Sequence, residues 1–82
     1  MKVSKIKHSY IEGYELGGYY LIKAYGINTY WWVLSKEKRY YGGYEGTLEE
    51  RKGNIKYIAS CKKGKELLVK LFNKEITFEE VK

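Results

Sequence analysis

Eighty-two residues make a single domain (residues 1–82) with a thin core, because a chain this short buries only about 60–65% of the surface its unfolded form exposes. A hydrophobic fraction of 44% is in the globular range and argues against disorder, and no stretch approaches the roughly 20 apolar residues that a membrane span needs. The net charge of +6 suits nucleic acid or an acidic protein partner, and is also within the range of an ordinary solvated surface.

The first segment, Lys2 to Ile11, alternates weakly, with Val3, Ile6 and Tyr10 separated by Lys and Ser, and reads as an edge strand guarded by lysines. Glu12-Gly13 is a turn signal, and Gly17-Gly18 is a second break or a bulge. Tyr19–Tyr25 and Tyr30–Ser35 are rich in β-formers and read as strands joined by a tight turn at Gly26–Thr29. A charged turn, Lys36-Glu37-Lys38-Arg39, leads to a further strand at Tyr40–Glu45, weakened by Gly42-Gly43. The texture then becomes helical. Thr47-Leu48-Glu49-Glu50 has the capping-box pattern, and the spacing of Leu48, Ile55, Ile58 and Ala59 predicts a helix over about 48–61. The competing reading ends that helix near Lys52 and makes Ile55–Ser60 a strand. Lys62-Lys63-Gly64 fits a helix end, with cations against the C-terminal dipole. Lys65–Asn73 is a helix with the apolar stripe Leu67, Leu68, Leu71 and Phe72, and Thr77-Phe78-Glu79-Glu80 opens a short terminal one. Strands followed by helices define an α+β fold. A small antiparallel sheet of three to four strands (about 2–46) is expected to be packed on one face by C-terminal helices (about 47–82).

The turns propose a register. With Ile27-Asn28 at the centre of a two-residue turn, Tyr25 faces Tyr30, Ala24 faces Trp31, Lys23 faces Trp32 and Ile22 faces Val33. Alternation then gives one set comprising Tyr20, Ile22, Ala24, Trp31, Val33 and Tyr44, expected to meet the helices, and another comprising Tyr19, Lys23, Tyr25, Tyr30, Trp32 and Tyr41, expected to be open. Ten tyrosines and two tryptophans are the unusual feature of the composition, and nine of the Tyr and both Trp lie between residues 10 and 44. An open aromatic face either covers the sheet with amphipathic rings or forms a docking surface. In the second case the rings stack on bases, and Lys36, Lys38 and Arg39 at the end of the sheet meet phosphate.

Little supports catalysis. Cys61 is the one cysteine and His8 the one histidine, and there is no Asp. An intramolecular disulfide is therefore ruled out, and a zinc site lacks ligands. No acidic residue is placed at a useful spacing to orient His8, and Cys61 reads as a packed helix-end thiol beside Lys62 and Lys63. Gly42-Gly43 is not followed by the Lys-Ser/Thr of a phosphate loop. No catalytic residue, metal or cofactor is expected. A metal-free nuclease built from Lys, Arg, Tyr and Glu is the catalytic alternative. Arg39–Tyr44 loosely resembles the basic, glycine- and aromatic-rich strand motif of ribonucleoprotein domains, with Gly and Tyr out of step and a different order of elements. The expectation is a non-catalytic protein that contacts DNA or RNA through Tyr19, Lys23, Tyr25, Tyr30, Trp32, Lys36, Lys38, Arg39 and Tyr41. The alternative is a protein-interaction module, such as a small virus- or plasmid-encoded inhibitor that docks on a host nucleoprotein complex, with a homodimer through the aromatic face as a variant. The basic N-terminus is followed by alternation rather than by a signal peptide's apolar block, so a cytoplasmic location, without membrane attachment, is expected. Each half of the chain carries +3 (seven basic and four acidic residues over 1–46, nine and six over 47–82), so there is no basic tail.

Overall fold

The computed structural model describes residues 3–8, 11–36 and 53–81, with Lys7, His8 and Gly26 described by their backbone. Among the described residues five strands form one antiparallel sheet in sequential order, namely β1 (Ser4–His8), β2 (Ile11–Leu16), β3 (Tyr19–Gly26), β4 (Thr29–Ser35) and β5 (Ile55–Ile58). One helix, α1 (Cys61–Phe72), and a 3-10 turn at Phe78–Glu80 follow. The arrangement is α+β, with five strands among the described residues where the sequence suggests three to four in all. The expected strand at Tyr40–Glu45, the charged turn beyond Lys36 and the Thr47 capping box lie outside the described residues.

The hairpin β3–β4 has the register that its turn dictates. Gly26 faces Thr29, Tyr25 faces Tyr30, Lys23 faces Trp32 and Ile22 faces Val33. Asn28 takes the left-handed conformation (φ 61°) that the turn requires and that Asn tolerates. Gly17 (φ 59°) and Gly18 (φ 89°) close the β2–β3 turn in the same region of backbone space. Glu12-Gly13, by contrast, is not a turn. It lies inside β2, where Gly13 faces Ile6 on one side and Ile22 on the other. A Cβ on Gly13 would collide with the carbonyl oxygen of Leu21, so the glycine marks a close backbone approach within the sheet.

Two further expectations are corrected. Residues 55–58 are strand, as in the competing reading, and not helix: β5 pairs with β4 from Ile55–Ser35 to Ile58–Trp32. Over so short a segment Ile55, Ile58 and Ala59 fit either period, and the β4 edge supplies hydrogen bonds that decide it. In turn α1 starts at Cys61 rather than Lys65. Ser60 is its N-cap and accepts a hydrogen bond from the Lys63 amide at 3.2 Å. Lys62-Lys63-Gly64 is thus the first turn of a helix and not the end of one. At the other end the Lys74 amide donates to the Leu71 carbonyl (3.1 Å) and the Glu75 amide to that of Lys70 (2.9 Å), a Schellman closure with Lys74 at φ 61°. The terminal turn forms where the capping box predicts it. The Thr77 amide and hydroxyl donate to Glu80 Oε1 at 3.3 and 3.0 Å.

The core joins Leu21, Leu34 and Ile58 of the sheet to Leu68 and Leu71 of α1, with Phe78 and Val81 closing one side. Tyr14, Leu16, Tyr19 and Trp32 pack against this cluster. The helix therefore covers the face that carries Tyr19 and Trp32, the reverse of the expected assignment. The deciding residues are Leu21 and Leu34, which alternate with the aromatics on that face and are fully buried. The opposite face is buried at the Ile22–Val33 rung and open at Trp31 and Tyr57.

Candidate nucleic-acid interface

The path of α1 determines which part of the aromatic face stays open. Only two residues separate the end of β5, at the Trp32–Ile58 rung, from the start of the helix. Gly64 lies directly on Leu21, where a Cβ would collide with the Leu21 side chain. Phe72 reaches Gly17, where a Cβ would lie 2.9 Å from the Phe72 ring. The helix thus runs from the middle of the sheet to the Gly17 end and leaves the Tyr25–Tyr30 end uncovered. Tyr25 is 61% and Tyr30 54% exposed.

In that open end, cations and rings interleave. Lys23 Nζ is 4.2 Å from the Tyr30 ring centroid and 5.5 Å from that of Tyr25. Contacts of this kind contribute about 0.5–1 kcal/mol at exposed sites. Glu12 joins the group: its Oε2 is 4.0 Å from Lys23 Nζ and accepts from the Tyr25 hydroxyl at 3.3 Å. The ion pair is long and half-exposed and adds little stability. Beside these, Tyr14 and Trp32 meet across β3 with centroids 6.3 Å apart and planes tilted 35°. Lys65 Nζ lies 4.1 Å from the Tyr14 centroid, which ties the start of α1 to the aromatic group. Lys62 and Lys63 are exposed in the same helical turn. Lys5, opposite Tyr14 in β1, is a further exposed cation on this face.

The structure divides the residues singled out from sequence. Lys23, Tyr25, Tyr30 and Trp32 come together, with Trp32 half-buried. Tyr19 and Lys36 lie at the other end of the sheet, where Tyr19 stacks on Phe78 (6.2 Å, 15°). Lys36 Nζ donates to Glu79 Oε1 at 3.0 Å and sits 5.3 Å from the Phe78 ring, while Lys56 lies 5.9 Å from the same ring. That hydrogen bond and the Lys36 charge hold the Glu79 carboxyl below the usual carboxylate range. Lys36 thus links the end of β4 to the C-terminal segment through an exposed ion pair. Lys38, Arg39 and Tyr41 lie outside the described residues. Sequence reasoning missed Tyr14 and Lys65. The alternation of Tyr14 and Leu16 in β2 was the signal for the first, obscured by reading Glu12-Gly13 as a turn. For the second it was Ser60, an N-cap residue ahead of the lysines.

Among the described residues no group of His, Cys and Glu side chains is placed to hold a metal ion, and no helix is long and apolar enough to cross a membrane. Cys61 is partly buried against the core at the first position of α1. No protein-family model, curated protein or solved structure matches the chain.

Proposed function

We propose that this chain is a non-catalytic nucleic-acid-binding protein that docks through the uncovered end of its helix-bearing sheet face. The observation that carries this reading is the interleaving of Lys23 and Lys65 with Tyr30 and Tyr14, next to a first helical turn that holds Lys62 and Lys63 and no acid. Cations at a helix N-terminus oppose the macrodipole, at about 0.3–1 kcal/mol each. A merely solvated surface gains nothing from lysines there, whereas phosphate is drawn to the lysines. Rings beside the cations offer faces on which bases stack.

The test is an anisotropy titration of labelled DNA and RNA oligonucleotides at low and near-physiological salt. Contact with about three to four phosphates implies a slope of log affinity against log salt of roughly −2 to −3 for a single strand. Absence of binding at low salt overturns the proposal. One observation favours a protein partner instead: Ile27, at the tip of the β3–β4 turn, is 93% exposed. An aliphatic side chain there serves neither phosphate nor base, but it fits the apolar centre of a protein interface with charge at its rim. Binding in that case is weakly salt-dependent and is lost in Ile27→Asp.

A further inference from the structure

From the same surface we infer that the nucleic acid recognised is single-stranded, with bases stacked on Tyr25 and Tyr30; the inference rests on the nucleic-acid reading above. The two tyrosines face each other across β3 and β4, are each more than half exposed, and share a single ammonium, that of Lys23, against their rings. A cation near a tyrosine ring leaves ring surface free, and stacking there is open to any base, because every base has a π-face. In a duplex both faces of each internal base are already covered by its neighbours, so these rings are reached only by unstacking it.

Groove insertion is the way a duplex would use a two-stranded ribbon such as β3–β4. That mode needs hydrogen-bonding side chains aimed at base edges. The hairpin offers instead Tyr25, Tyr30 and Trp31 on its flanks and Ile27 at its tip, with Asn28 and Thr29 as its short polar residues. Charge complements the strand. Lys5, Lys62 and Lys63 are exposed and Lys65 is partly exposed, on or beside the same face, and Glu12, the carboxylate within the ring cluster, is already engaged by Lys23 and Tyr25. The phosphates of a strand whose bases lie on the rings then run along the start of α1.

The experiment compares four labelled probes of equal length by anisotropy at low salt: single-stranded DNA, single-stranded RNA, an abasic strand that keeps the phosphates, and a duplex. Expected is at least tenfold tighter binding of the base-bearing strands than of the abasic strand and the duplex. Tyr25→Ala and Tyr30→Ala are each expected to weaken the base-bearing strands by at least about fivefold and to leave the abasic strand unchanged. Tyr30→Phe, which keeps the ring, retains binding, and circular dichroism confirms that each variant is folded. Equal affinity for the abasic strand, or a duplex bound as tightly as a single strand, overturns this inference and leaves nucleic-acid binding standing. Failure of all four probes to bind overturns both.

Discussion

Gly64 and Glu79 illustrate how single residues are committed in this chain. At Gly64 two effects oppose each other. Alanine is the better helix former by roughly 1 kcal/mol, but its Cβ would be driven into the Leu21 side chain, which is fully buried. Overpacking of that kind costs typically 1–3 kcal/mol. Gly64→Ala is therefore expected to lower stability by about 1 kcal/mol in urea unfolding, and a more stable variant would show that Leu21 repacks. Glu79 tests the other end of the molecule. Its carboxyl is held below its unfolded value by the hydrogen bond and charge of Lys36, so its contribution is present above the unfolded value and is lost as pH falls through the folded one. The pair is solvent-exposed and screened, so Glu79→Gln is expected to lower the thermal midpoint at neutral pH only slightly. The difference from the parent chain should begin to narrow as pH falls below the usual carboxylate range, close at lower pH, and shrink in high salt. An unchanged difference in acid would mean that Lys36–Glu79 is not its source.

Among the elements, α1 is where the proposed binding and stability are expected to separate. Replacing Lys62 and Lys63 by Glu puts acids where the macrodipole favours them, and is expected to stabilise the helix by about 0.5–2 kcal/mol in total. The same double change should weaken oligonucleotide binding by at least tenfold, since it reverses two charges beside the rings. A variant that is more stable yet binds normally would remove the helix start from the site. The elements also show what the sequence makes legible. The β3–β4 register is readable because the Gly26–Thr29 turn sets it and side-chain alternation propagates it without error. The choice of face is not, because tyrosine and tryptophan suit either a half-buried or an open position, and here the aliphatic pair Leu21 and Leu34 decides. β5 is legible only as the competing reading of Ile55–Ser60, because four residues are too few to distinguish a period of 2 from one of 3.6. The start of α1 is hidden because two lysines followed by a glycine look like a helix end.

For the molecule as a whole, a basic balance of +6 spread evenly along the chain becomes local only in three dimensions. Lys23 and Lys65 are 42 residues apart in sequence, yet both bear on one aromatic group because β3 lies under the helix start. This explains why only part of the candidate surface was readable: Lys23, Tyr25, Tyr30 and Trp32 sit on one hairpin, whereas Tyr14 joins them through the pairing of β2 with β3 and Lys65 through the packing of α1 on the sheet. Trp31 and Trp32, adjacent on β4, point to opposite faces of the sheet, one exposed at 38% on the open side and the other half-buried beside Tyr14. The protein thus has an intrinsic pair of fluorophores, one for each surface. A soluble quencher such as iodide reaches Trp31 first, and a ligand seated on the helix-bearing side alters the emission of Trp32, so light alone reports which side of the sheet is occupied.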